Sequence, residues 1–198
     1  GWEAIHGAGS VVAYDSFTTG DTDFSAQLTK IKGADAEFLF TPQYYNEVPL
    51  IVKQARELGL DFPILGSDSW GDPKTLELCG DACEGLYFST HYAAEGATGA
   101  TKEFIDRYTA DYGEIPGDVA ALTWDAMGLV MQAIKDTGGL SGDLANDRAA
   151  AKDALGQIKN FDGITGQMTF TPEGDPIKCA VLVQIKGGAF TFHKQVCP

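Results

Sequence analysis

Basic residues are scarce in this 198-residue chain: 14 lysines and arginines stand against 28 aspartates and glutamates, a formal net charge of −14. A surface of that sign repels phosphate backbones and anionic lipid, which excludes nucleic acid as a partner. Long apolar runs are missing as well, and no stretch approaches the roughly 20 apolar residues of a membrane-spanning helix. Histidine occurs only as the scattered His6, His91 and His193. The sequence holds no Gly-x-Ser-x-Gly elbow, phosphate loop, His-Glu-x-x-His or dinucleotide fingerprint. No catalytic residue, no resident metal and no cofactor is therefore expected. Carboxylate pairs do occur, but among 28 acidic residues they arise by chance. Repeats and low-complexity segments are absent, and so is a signal peptide. The chain opens at Gly1-Trp2-Glu3, so either its start has been processed or a further part lies upstream.

Cysteine is present only as two local pairs. Cys79 and Cys83 lie four residues apart, and Cys179 and Cys197 flank a hairpin signal at Lys186-Gly187-Gly188-Ala189. Pairing Lys186 with Ala189 leaves Cys179 and Cys197 one residue out of register; a bulge at the glycines brings them face to face. The reading is two disulfides, Cys79–Cys83 and Cys179–Cys197, and hence an oxidising compartment, periplasm or cell exterior. Zinc is the competing reading, but Cys-x3-Cys with two remote cysteines is no standard ligand spacing; free thiols are the third.

The present residues alternate in kind from 9 to 88. Val11–Tyr14, Glu37–Phe40, Pro63–Gly66 and Leu86–Ser89 read as short strands. Between them, a helix with Phe24, Leu28 and Ile31 on one face follows the capping run Asp21-Thr22-Asp23 and ends at Gly33. A second helix over 45–58 carries Val48, Ile51, Val52, Ala55 and Leu58, and a short one spans 73–79. This alternation predicts a parallel sheet covered by helices. From 97 to 159 the pattern is helical throughout: Lys102–Tyr112, Asp118–Asp136 and Asp147–Ile158. From Asp162 onward it becomes a β-meander, with strands over Ile164–Thr171, Ile177–Ile185 and Ala189–Val196. The middle helices carry broad apolar faces, with no sheet of their own to cover.

Several segments together carry a resemblance. They are Gly20–Ser25, Gln43-Tyr44-Tyr45-Asn46-Glu47, Gln54–Leu60, Ile64–Trp70, Gly85–Thr90, Ala121–Ala126 and Phe161–Gly166. In this order and spacing the chain resembles type I periplasmic solute-binding proteins of the leucine/isoleucine/valine-binding kind. The resemblance implies an α/β fold of two Rossmann-like lobes that close on a ligand. It implies that residues 1–92 are lobe 2 without its first strand, 93–160 the returning helices of lobe 1, and 161–198 the second crossover and end of lobe 2. The sheet missing from the middle helices would then lie upstream, and the isolated chain is expected to self-associate or exchange strands.

An amino-acid pocket needs donors for a carboxylate, acceptors for an ammonium and apolar walls, and open α/β sheets place it at the carboxyl ends of strands. Two such ends occur, Gln43-Tyr44-Tyr45 and Ser67-Asp68-Ser69-Trp70. The resemblance puts an aromatic hydroxyl beside the ligand at Tyr44 and the ammonium's partner at Asp68. Branched-chain binders commonly have Glu there, so Asp68 has the shorter reach. The bland alternatives are a helix cap for Asp68, packing at the start of a helix for Tyr44, the lobe edge for Trp70 and a core position for Trp124. Tyr45 reads as structural. The candidate ligand contacts are therefore Gln43, Tyr44, Ser67, Asp68, Trp70 and Trp124. The function implied is an extracytoplasmic solute-binding component of an ABC importer. It would be periplasmic or tethered outside the cell, with an ABC permease as partner and a small zwitterion as ligand, probed against plain carboxylates and amides. A ligand-sensing receptor of the same fold is the runner-up. A hydrolase on a flavodoxin-like sheet would require a reactive nucleophile.

Overall fold

A computed structural model describes residues 1–198. The chain divides into two compact units, Gly1–Ser89 with Val183–Thr191, and Thr90–Leu182 with Phe192–Pro198. The sequence reading sets its segment limits elsewhere, at 92/93 and 160/161.

The first unit begins with α1 (Trp2–His6) and α2 (Ser25–Gly33). Asp23 accepts from both the amide and the hydroxyl of Ser25, at 2.9 and 2.5 Å, and so starts α2. Strand β1 (Leu39–Phe40), helix α3 (Val48–Glu57), β2 (Ile64–Gly66), helix α4 (Lys74–Cys79) and β3 (Tyr87–Thr90) follow. β1 pairs with β2 and β2 with β3, both in parallel, as strand–helix alternation requires. Helix α3 buries Val48, Ile51, Val52 and Ala55 along one face. It stops where Gly59 adopts φ 73°. There the Gly59 amide reaches Arg56 O and the Leu60 amide reaches Ala55 O, a Schellman ending that satisfies two orphan carbonyls.

Residues 11–14 form no strand. Val11, Val12 and Tyr14 are exposed, and the segment has no ladder. β-branched residues favour a pleated, half-buried surface, not extended backbone as such, and nothing in the chain pairs with this run.

The second unit is built from α5 (Gly99–Tyr112), α6 (Asp118–Asp136) and α7 (Leu144–Gln157), with an antiparallel sheet of β4 (Phe161–Gly163), β5 (Gly166–Phe170) and β6 (Pro176–Ile177). Helix α7 starts three residues earlier than its pattern suggests. Asp143 caps it by accepting from the Ala145 and Asn146 amides, whereas Asp147 is engaged by Ser141 and Gly142. Two apolar clusters fill this unit. One is Tyr92, Phe104, Ala121 and Ile164; the other is Leu129, Ala133, Ile158 and Met168.

Asp125 organises the unit. Its buried carboxylate accepts from the Ile164 amide at 2.8 Å, the Thr165 amide at 2.9 Å and the Thr165 hydroxyl at 2.6 Å. Lys178 Nζ donates to Thr165 Oγ1 at 2.6 Å, which extends the chain outward. Burial holds the Lys178 ammonium below the ordinary lysine value, against the opposing attraction of Asp125 and Asp118. A Cβ on Gly163 would stand 2.5 Å from the Asp125 carboxylate, so glycine is the residue that lets the turn lie this close.

The C-terminal β region divides between two sheets where the sequence pattern reads one meander. β6 ends at Ile177, and β7 (Ala180–Lys186) joins the sheet ordered β1-β2-β3-β7-β8, with β8 spanning Ala189–Val196. The break is physical. At the break, the Lys178 side chain turns inward to Thr165 and Cys179 is joined to Cys197, and the chain passes from one sheet to the other. The β7–β8 turn is Gly187-Gly188 with φ 59° and 72°, the pair of left-handed residues a two-residue hairpin favours. Glu84 accepts from both turn amides, at 2.9 and 3.4 Å. The other disulfide joins Cys79 to Cys83 just before it.

Two outcomes follow from this packing. Gly66→Ala would drive a Cβ to 2.2 Å from the Trp70 indole, and the overpacking is expected to cost about 1–3 kcal/mol in denaturant unfolding. Tyr92 is buried beside Asp118, and its phenol is pushed up to about 12, by desolvation first and by the Asp118 charge second. Its folded value lies above its unfolded one. The stability it contributes is therefore complete below pH 10 and is lost as pH rises toward 12. Ultraviolet titration should find one of the seven tyrosines ionising last, together with the onset of alkaline unfolding.

Candidate ligand-binding site

The carboxyl ends of β1 and β2 lie side by side, because Leu39 pairs with Ile64 and Phe40 with Leu65. The ladder continues one residue further, where the Thr41 amide donates to Leu65 O at 2.9 Å. Beyond it the two strands part into the loops Gln43–Glu47 and Ser67–Trp70. The second loop is a single 3-10 turn, Asp68–Trp70.

Trp70 anchors both loops from below and is not a pocket wall. It has 0% exposure, and its indole N–H donates to Thr41 O at 3.0 Å. The ring lies directly on Gly66, where a side chain would collide with it. An indole is amphipathic, and here its apolar body fills the core while its one donor satisfies a carbonyl at the strand end. This corrects the sequence expectation of Trp70 as a ligand contact.

Ser69, paired with Ser67, joins the loops above it. Their hydroxyls are 2.9 Å apart, and Ser69 donates to Gln43 O at 2.8 Å. Gln43 and Ser67 are half-buried at this junction. Sequence reasoning passed over Ser69, although the Ser-x-Ser spacing across Asp68 was its signal.

Two polar groups stand above this framework. Tyr44 is 64% exposed, and Asp68 is exposed as the first residue of the 3-10 turn. The helix-cap alternative for Asp68 does not hold, because the first turn of α4 is served by Asp72, which accepts from the Lys74 amide at 2.8 Å. Tyr45 faces elsewhere, with the Lys74 ammonium 5.6 Å from its ring centre.

Trp124 belongs to the second unit. It is half-exposed on α6 and packs against Phe104 with ring centres 5.3 Å apart. With Tyr108, Tyr112 and Met127 it borders a cavity of about 430 Å³ between α5 and α6. Val119, Val130 and Met131 of α6 are exposed as well. Within the described geometry the strand-end group is Gln43, Tyr44, Ser67 and Asp68, all in the first unit.

A parallel α/β sheet with an aromatic hydroxyl and a carboxylate beyond adjacent strand ends has the layout of an α/β ligand-binding protein. The chain belongs to the Periplasmic binding protein family, whose model matches residues 2–189. It is similar to the crystal structure of a leucine-binding protein from Thermotoga maritima, with TM-score 0.83 and 34% identity over 92% of this chain and 51% of that one. It is also similar to a branched-chain amino acid transporter substrate-binding protein from Streptococcus pneumoniae, solved with isoleucine (TM-score 0.77, 35% identity, 92% and 51% covered). Among curated proteins, the leucine-, isoleucine-, valine-, threonine- and alanine-binding protein of Pseudomonas aeruginosa is 27% identical over 174 residues, 87% of this chain and 44% of that protein. The chain thus spans about half the length of the relatives it matches. The type I fold expected from the resemblance is the one observed in these structural neighbours.

Ser69 and Tyr44 should separate scaffold from proposed site. Ser69→Ala removes the link to Gln43 and is expected to cost about 1 kcal/mol of stability. Tyr44→Ala, at an exposed position, should change stability by less than about 0.5 kcal/mol in the same chemical denaturation.

Proposed function

We propose that this chain is part of an extracytoplasmic solute-binding protein that captures a small zwitterion, an amino acid, for an ABC-type importer. The observation that carries the reading is the exposed pair Tyr44 and Asp68 beyond adjacent parallel strands, in a chain of this family. Asp68 would accept from the ligand's ammonium and Tyr44 would supply a hydroxyl beside it, with Gln43 and Ser67 at the edge. A carboxylate facing an ammonium makes a charge-assisted hydrogen bond, worth about twice a neutral one. Asp in place of a longer acid keeps the ammonium close to the strand end and leaves the ligand's side chain open. The solved isoleucine complex of a relative supports an amino acid as the class.

The finer parts of this reading are proposals of the same kind. Residues 1–92 and 161–198 are assigned to one lobe and 93–160 to the other, and an ABC permease is the partner. Two disulfides suit the periplasm, where such bonds persist. The apolar face of α6 is the surface through which the isolated chain would self-associate.

The test is isothermal titration of the natural polypeptide that carries residues 1–198 against the twenty amino acids, plain carboxylates and amides. One zwitterion should bind tightly, and Asp68→Ala should weaken it by about a hundredfold, the effect of truncating one partner of a charged pair at about 3 kcal/mol. Binding of carboxylates or amides without any amino acid would remove Asp68 from the role of ammonium partner. Absence of binding to every solute would overturn the solute-binding reading itself.

A further inference from the structure

The two disulfides sit in opposite surroundings. Cys79 and Cys83 are 1% and 0% exposed, whereas Cys179 is half-buried and Cys197 lies open to solvent, as do all residues from Phe192 to Pro198. Disulfide reduction begins with attack by a thiolate along the S–S axis, so access to one sulfur decides which bond opens. Cys179 lies in the two-residue link between β6 and β7, and Cys197 follows β8 directly. The bond therefore straps the end of β8 to the start of β7. The neighbouring residue of that link, Lys178, is held independently from the inner side by Thr165 and, through it, by Asp125.

We propose that Cys179–Cys197 is a redox-sensitive strap, opened by a dithiol reductant while Cys79–Cys83 stays closed. A thiolate of the reductant attacks the exposed Cys197 sulfur and forms a mixed disulfide. Cys179 leaves as a thiolate and takes up a proton. The second thiol of the reductant then displaces Cys197, leaving two cysteine thiols and an oxidised, disulfide-bonded reductant. Two electrons pass from the dithiol to the cysteine pair. With the strap open, the end of β8 beyond Phe192, whose amide is held by Glu95 at 2.7 Å, loses its covalent tie. The link at residue 178 keeps its place, because Lys178, Thr165 and Asp125 do not depend on the disulfide. The device frees one strand end and leaves the β4–β5–β6 sheet intact.

The test is graded reduction of the chain with dithiothreitol, followed by alkylation, peptide mass mapping and amide hydrogen exchange. Cys179 and Cys197 should be labelled at reductant concentrations about tenfold below those needed for Cys79 and Cys83. Amides of residues 193–197 should then exchange about tenfold faster, with those of Ile164 and Thr165 unchanged. The double variant Cys179→Ser, Cys197→Ser should show the same exchange pattern without reductant. Opening of both bonds together, prior opening of Cys79–Cys83, or unchanged exchange at 193–197 after reduction would each overturn the proposal. Lys178→Met in the reduced chain should lose protection at Ile164 and Thr165. Retained protection there would remove Lys178 as the inner hold.

Discussion

The close approach of Trp70 to Gly66 is the constraint on which the candidate site depends. A residue with any side chain at 66 would displace the indole, and a displaced indole could not donate to Thr41 O. That one hydrogen bond spans from the turn after β2 to the end of β1. It fixes the separation of the two loops before any polar group above them is considered. Ser69 repeats the tie one layer higher through Gln43 O. Tyr44 and Asp68 are thus carried on loops tied together by side-chain-to-backbone hydrogen bonds, although their own side chains are exposed. A buried anchor with a satisfied donor is rigid at little cost, since burial of the ring provides the driving force and the hydrogen bond avoids a desolvated donor.

The second unit solves a comparable problem with charge in place of an aromatic ring. Asp125 sits in the middle of α6, where a carboxylate would be costly if unpaired. Three donors from the 164–165 turn satisfy it, and Lys178 adds a fourth polar partner through the Thr165 hydroxyl. The turn cannot shift without leaving that carboxylate bare, so the antiparallel sheet is placed by a polar interaction inside apolar clusters. Such networks are strong only when complete. The requirement for glycine at 163 is the steric side of the same arrangement.

Much of this was legible in the residues, for identifiable reasons. Helix α6 agrees with its pattern at both ends, because Gly117 and Thr137 bound an apolar period too long to be ambiguous. The parallel strands were legible as short apolar runs between helices, and the hairpin from Gly187-Gly188. Residues 11–14 misled because composition reports what a strand would like to contact, and here no partner is present. The division at 178–179 was hidden for a different reason. Nothing local marks Lys178 as turning inward, and its partner Thr165 is thirteen residues away across a turn. Trp70 was ambiguous in principle, since an aromatic after a strand suits a pocket wall or the edge of a lobe equally well, and its place in the core was not foreseen. Only the glycine four residues earlier, against the ring, decides it.

The same contrast explains why the proposed contact residues are those that contribute least to the fold. A carboxylate that is to meet an ammonium must be reachable from solvent, and Asp68 is exposed. Exposure of Asp68 keeps the unliganded protein free of a buried uncompensated charge. In the proposed capture of an ammonium, water leaves both charges, and their attraction must exceed that penalty. It does so only if the carboxylate is already correctly placed, because a mobile loop would add an ordering cost to the desolvation cost. The buried Trp70, the Ser67–Ser69 pair and the β1–β2 ladder supply that placement from below. Proposed site and scaffold are therefore separated by burial: Gly66 and Trp70 are buried and hold, Ser69 is half-buried and ties the loops, and Tyr44 and Asp68 are exposed and held.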